Sequence, residues 1–245
     1  MTLPRSLSRL AWTSVLLALP AATLADTGTL TLFADGEELA TEGFVAPKLT
    51  RDGWELRFDR ILITLDQVTA HQTEPPYDAD SGAAIDAQVS VPLVTEPVTV
   101  DLVNVDDSGR VTVATATAPA GFYNALSYDL RPGADGATMV LSGTARREGT
   151  EVAFTLSTDT ALRHRCGEFV GDERKGFLTA GGETSLDITL HLDHLFGRAD
   201  QPADDEMNQE ALGFDRFSAG GTQRFSLDGL HVGHVGEGHC HVEAL

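Results

Sequence analysis

The stretch Ser185-Leu186-Asp187-Ile188-Thr189-Leu190-His191-Leu192-Asp193-His194 decides how this chain should be read. Leu186, Ile188, Leu190 and Leu192 recur every second residue, the period at which a strand returns to the same face. Asp187, Thr189, His191 and Asp193 fall on the other face. A strict strand would then turn His194 toward the apolar side. A strand that ends near Asp193 in a bend or helical turn would instead let His191 and His194, three apart, converge. The second geometry is expected, because Leu195-Phe196-Gly197 and an acidic stretch follow.

Outward from this strand the chain keeps the same character. Thr29 to Phe33, Trp54 to Phe58, Ile61 to Leu65, Val89 to Val94, Val98 to Val103, Val111 to Thr115, Phe122 to Leu130, Met139 to Leu141 and Val152 to Leu156 read as short strands. Turn signals at Asp35-Gly36, Asp52-Gly53, Ser108-Gly109, Pro132-Gly133 and Asp135-Gly136 separate them. The fold class expected is all-β, a single-domain β-sandwich with a short helical and loop insertion in the last third. A hairpin is expected around Asp52-Gly53. In the insertion, Asp200 is expected to cap a helix opened by Pro202 and ended by Gly213.

Residues 1–25 read as a secretory signal: Arg5 and Arg9 precede the apolar run Val15 to Leu19, and Thr23-Leu24-Ala25 offers a small-residue cleavage site. The expected division is a signal at 1–25 and a β-sandwich domain at 26–245 that ends in a histidine-rich metal-binding tail. A periplasmic or secreted location follows, without membrane insertion. The formal net charge is −20, which disfavours nucleic acid and anionic lipid as partners and attracts cations. In an oxidising compartment the two cysteines, Cys166 and Cys240, most economically form one disulfide. Two buried thiols, or one thiol acting as a metal ligand, are the alternatives.

Six of the eight histidines, His191, His194, His231, His234, His239 and His241, lie between residues 191 and 241. His231 and His234 repeat the three-residue separation of His191 and His194, among glycines that let backbone close around a small object. His239 and His241, two apart, point one way on an extended chain while Cys240 points the other. Glu237 or Asp193 could complete a ligand shell or orient a ring. Four imidazole nitrogens, or three with a carboxylate, suit zinc, with copper next. His71 is expected to be structural, and a Cys166–Cys240 bridge would draw His164 close.

At Pro119-Ala120-Gly121-Phe122-Tyr123 and the alternating Asn124 to Tyr128, the sequence resembles a group of poorly characterised bacterial exported β-sandwich domains in which P-A-G-x-Y opens a strand; the resemblance spans residues 28 to 195 in strand order. The same short motif resembles the periplasmic partner proteins of methanobactin-type copper systems, and that likeness implies metal handling in the periplasm. It supplies no ligands.

The function expected is a periplasmic transition-metal-binding protein acting as carrier, buffer or delivery protein, with a membrane metal transporter or a periplasmic metalloprotein as its partner. The alternative is a non-catalytic adhesion or carbohydrate-binding sandwich whose histidines are incidental or hold a structural ion. A metal-dependent hydrolase or oxidoreductase using Glu237 as base is a third reading, although no G-x-S-x-G, H-E-x-x-H or phosphate-cradling loop is present.

Overall fold

The alternation at 186–192 folds as a strand whose leucine and isoleucine face is sealed in the core. Leu186, Ile188, Leu190 and Leu192 are all buried to within 2% of full exclusion from solvent. A computed structural model describes residues 26–167, 176–235 and 239–245. The expected signal at 1–25 and Glu237 lie outside the described residues.

In chain order the elements are β1 (Thr27–Asp35), α1 (Glu37–Thr41), β2 (Glu55–Gln72), β3 (Val89–Val94), β4 (Val98–Asp101), β5 (Val111–Pro119), β6 (Gly121–Phe122), β7 (Ala125–Leu130), β8 (Met139–Arg147) and β9 (Thr150–Thr158). They continue with β10 (Leu162–Gly167), β11 (Phe177–Leu178), β12 (Glu183–Leu190), α2 (Asp193–Phe196), α3 (Glu206–Glu210), β13 (Gly221–Arg224), β14 (Gly233–Val235) and β15 (His239–Ala244). Among the described residues a smaller sheet runs β14-β12-β1-β5, and a larger one runs β13-β9-β8-β2-β7-β10-β15 with β3 and β4 also paired to β2. The fold is all-β. Leu30, Leu32 and Ile188 of the smaller sheet share one continuous core with Leu56, Ile63, Tyr128 and Leu141 of the larger.

Three local readings are corrected. No hairpin forms at Asp52-Gly53: the turn feeds β2, but the preceding segment meets β2 through the isolated bridge Phe44–Leu56 rather than as a strand. The stretches expected at Trp54–Phe58 and Ile61–Leu65 fall, from Glu55 onward, in the single strand β2, which stays continuous because irregularities at Phe58/Arg60 and Asp66/Thr69 absorb register shifts. The helix expected from Asp200 starts later, at Glu206. Its cap is Asp205, whose carboxylate accepts from the Met207 amide at 3.1 Å. Asp200 is engaged instead by the Arg198 guanidinium at 2.6 Å and 2.9 Å.

The disulfide joins Cys166 to Cys240, tying β10 to β15 over 74 residues of chain. His71 is structural, with its ring nitrogens on Ser90 Oγ at 2.9 Å and Ser127 Oγ at 3.0 Å. No helix among the described residues is long and apolar enough to cross a membrane.

Candidate metal centre

Strand register builds the site. β1 and β12 run parallel with Asp35 opposite Thr189, and β12 and β14 run antiparallel with Thr189 opposite His234. Directly paired residues share a sheet face, so Asp35, Thr189 and His234 form one row on the outer face of the smaller sheet. Two residues further along, Glu37 follows Asp35 and His191 follows Thr189. The carboxylate and the imidazole therefore emerge side by side at the carboxyl ends of two parallel strands that lie about 150 residues apart in sequence. The Thr189 hydroxyl donates to Asp35 Oδ2 at 3.3 Å, and the His191 amide donates to the Val232 carbonyl at 2.8 Å, which fixes the spacing between the strands.

The expected strand ending is present. β12 stops at Leu190, and α2 turns the chain back so that the His194 amide donates to the His191 carbonyl at 3.2 Å. Leu195 and Phe196 hold the turn by burial, Phe196 against the rings of Phe44, Phe58 and Phe214. With the turn anchored, His194 faces His191 and His234. Ring centroids lie 5.5 Å apart for His191–His194, 4.8 Å for His191–His234 and 5.5 Å for His194–His234.

Three imidazoles bonded at about 2.0–2.1 Å to one tetrahedral ion place their centroids roughly 5 Å apart. The triangle has that size. Among the described residues no group of three or more His, Cys, Asp or Glu donors meets in metal-holding geometry as the side chains stand, so capture of an ion requires the rings to turn about their side-chain bonds.

Charge and hydrogen bonding favour neutral rings at two of the three positions. Desolvation by burial, followed by the charge of His191 and His194, pushes His234 down to about 4 against the pull of the His231 carbonyl. Desolvation, helped by His191, also lowers His194, opposed by Asp193 and by the same carbonyl. The His231 backbone thus acts on both rings, raising each against the desolvation that lowers it. At His191 desolvation works downward, but Glu37 opposes it through hydrogen bonding and charge and the net direction is upward. Glu37 Oε2 stands 3.5 Å from His191 Nδ1. Beside the rings, Asp193 Oδ1 is buried without a hydrogen-bond partner among the described residues, leaving negative charge that a cation would neutralise.

The other predicted ligands are distributed differently. His231 is exposed, and both its backbone and the charge of its ring act on His194. His239 is exposed on β15, near enough for its charge to act on His234. His241 lies against Gly82. Cys166 and Cys240 are consumed by their bridge. Glu37 was missed by sequence reading, where Asp35-Gly36 registered only as a turn. No local signal marked it, since Glu37 opens α1 just past the end of β1. Its backbone has φ +54°, a left-handed conformation that costs a non-glycine residue on the order of 1–3 kcal/mol and concentrates at functional sites.

For a glycan the surface offers little: the exposed large apolar side chains among the described residues are Phe177, stacked on Phe122 at 3.8 Å, and the terminal Leu245. Comparison with protein-family models, curated proteins and solved structures returns no match.

Proposed function

We propose that this chain is an exported transition-metal-binding protein of the periplasm that holds one ion, zinc ahead of copper, between His191, His194 and His234, and that carries, buffers or delivers it. The observation carrying this reading is the triangle of imidazoles brought together from the end of β12, α2 and β14, with centroids 4.8 to 5.5 Å apart. Such a triangle has no structural necessity. Three half-buried rings packed together cost desolvation and mutual repulsion on protonation, and a shared cation offsets both. A donor set on one strand and the turn that follows another, with neutral nitrogens favoured at His194 and His234, also lets the ion exchange by small side-chain rotations, as a carrier requires. The acidic surface raises the local cation concentration. A membrane metal transporter or a periplasmic metalloenzyme is the class of partner that would receive the ion.

The test is chelator-competition titration of tag-free protein with zinc and copper at neutral pH. One ion per chain is expected, with affinity reduced at least 100-fold in His191→Ala, His194→Ala and His234→Ala and changed less than threefold in His241→Ala. Absence of uptake by the unaltered chain, or affinity indifferent to His234→Ala, overturns the reading.

A further inference from the structure

We propose that Glu37 is the fourth ligand of this site, making it a closed set of three imidazoles and one carboxylate that selects divalent ions over copper(I). The inference rests on the metal-binding reading above and adds the donor that sets its selectivity.

Glu37 Oε2 stands 3.5 Å from His191 Nδ1, close to the roughly 3.3 Å between two donors that each lie about 2.0–2.1 Å from one tetrahedral ion. The carboxylate acts on His191 through hydrogen bonding and charge, and the side-chain rotation that capture of an ion requires would carry both donors to one centre. Placement agrees: Glu37 follows the end of β1, beside the row that carries Thr189 and His234, and the charges of His191, His234 and Lys48 act on its carboxylate. The turn that puts it there is specific, with Glu37 left-handed at φ +54° and its amide donating to Asp35 Oδ1 at 3.3 Å.

Asp193 is the competing acid. Its charge acts on His191 and His194, but its Oδ2 faces the Arg198 guanidinium at 3.9 Å, and among the described residues no ion pair sets its oxygens against a ring nitrogen as Glu37 Oε2 is set against His191 Nδ1. Chemistry then fixes preference. A carboxylate oxygen is a hard anionic donor that stabilises a dication more than a soft monovalent ion, so three nitrogens with one such oxygen favour zinc or cobalt(II) over copper(I).

Cobalt(II), which reports its coordination in the visible spectrum, and zinc are the probes for the full chain and its Glu37→Gln, Glu37→Ala and Asp193→Asn variants, each first shown to be folded by circular dichroism. Expected results are zinc affinity reduced at least 100-fold by either Glu37 substitution and copper(I) affinity changed less than threefold. Azide should perturb the cobalt spectrum of Glu37→Ala, where a position has opened, and not that of the unaltered protein. If azide perturbs the unaltered protein equally, if Glu37→Gln keeps zinc affinity within threefold, or if Asp193→Asn alone abolishes tight binding, Glu37 is not the fourth ligand although the three-histidine site stands. If the unaltered chain takes up neither zinc nor cobalt, the underlying metal reading falls with it.

Discussion

His164 shows most sharply what a single side chain does to this molecule. It is fully excluded from solvent, stacks on Tyr128 with ring centroids 4.4 Å apart, and neither ring nitrogen has a hydrogen-bond partner among the described residues. Burial, aided by the charges of His234 and His231 and opposed by Asp129, pushes its pKa down to about 3. The unfolded chain takes up this proton near 6.5, and the folded chain only near 3. Between those limits the unfolded state binds more protons, so stability falls as pH falls, by at most about 1.4 kcal/mol per pH unit from this residue. Replacing an imidazole that makes no hydrogen bond with a phenyl ring removes that sensitivity without orphaning a partner. His164→Phe should be at least as stable as the unaltered protein at pH 7 and lose less stability between pH 6.5 and 4.5. Urea unfolding at both pH values checks this. An unchanged acid slope would show that His164 is not the group responsible.

At the scale of elements, β14 is the weak member of the site. It is three residues long and, among the described residues, lies at the edge of its sheet and is registered on β12 alone. Its inner face is Gly233, where an added Cβ would stand 2.5 Å from Tyr128 Oη and 3.3 Å from His164 Nε2. Gly233→Ala should therefore push β14 outward. The expected costs are about 1–3 kcal/mol of stability from overpacking and at least tenfold in zinc affinity, since His234 moves with the strand. Tyr128→Phe deletes the clashing hydroxyl, which has no partner of its own among the described residues, so the double variant should recover most of both losses. Additive losses in that cycle would place the clash elsewhere.

The same strand shows where sequence reading reached its limit. Alternation at 186–192 and the turn at Asp193 were legible because both are local, and they correctly set His191 beside His194. The repeated spacing at His231 and His234 suggested a second ligand pair. β14 begins at Gly233, so His234 stands on the strand while His231 precedes it and is exposed, a difference no spacing encodes. Glu37 was illegible for another reason: its proximity depends on the parallel pairing of β1 with β12, which bridges most of the chain. The continuous β2 was read as two strands because its irregularities interrupt the period-two pattern that marks a strand.

For the whole molecule, two separate ties restrain the carboxyl-terminal quarter, and they act on different strands. The Cys166–Cys240 bridge fastens β15 to β10 in the larger sheet, whereas an ion at the histidine triangle would fasten β14 and β12 to the end of β1 in the smaller one. Closing a loop of 74 residues contributes on the order of 4 kcal/mol by restricting the unfolded chain. Zinc held at one hundred times its dissociation constant adds about 2.7 kcal/mol, or roughly 5–10 °C in Tm for a chain of this size. Because β14 takes its register from β12, the site should survive loss of the bridge. The Cys166→Ala/Cys240→Ala variant is expected to unfold at lower urea concentration, by about 4 kcal/mol, yet still to bind one zinc and gain about the same 2.7 kcal/mol from it. Titration and urea unfolding with and without zinc decide the matter: if the cysteine-free chain stays folded but no longer takes up zinc, the two sheets are not independent, and the imidazole triangle is held in place by the tail rather than by the register of β12.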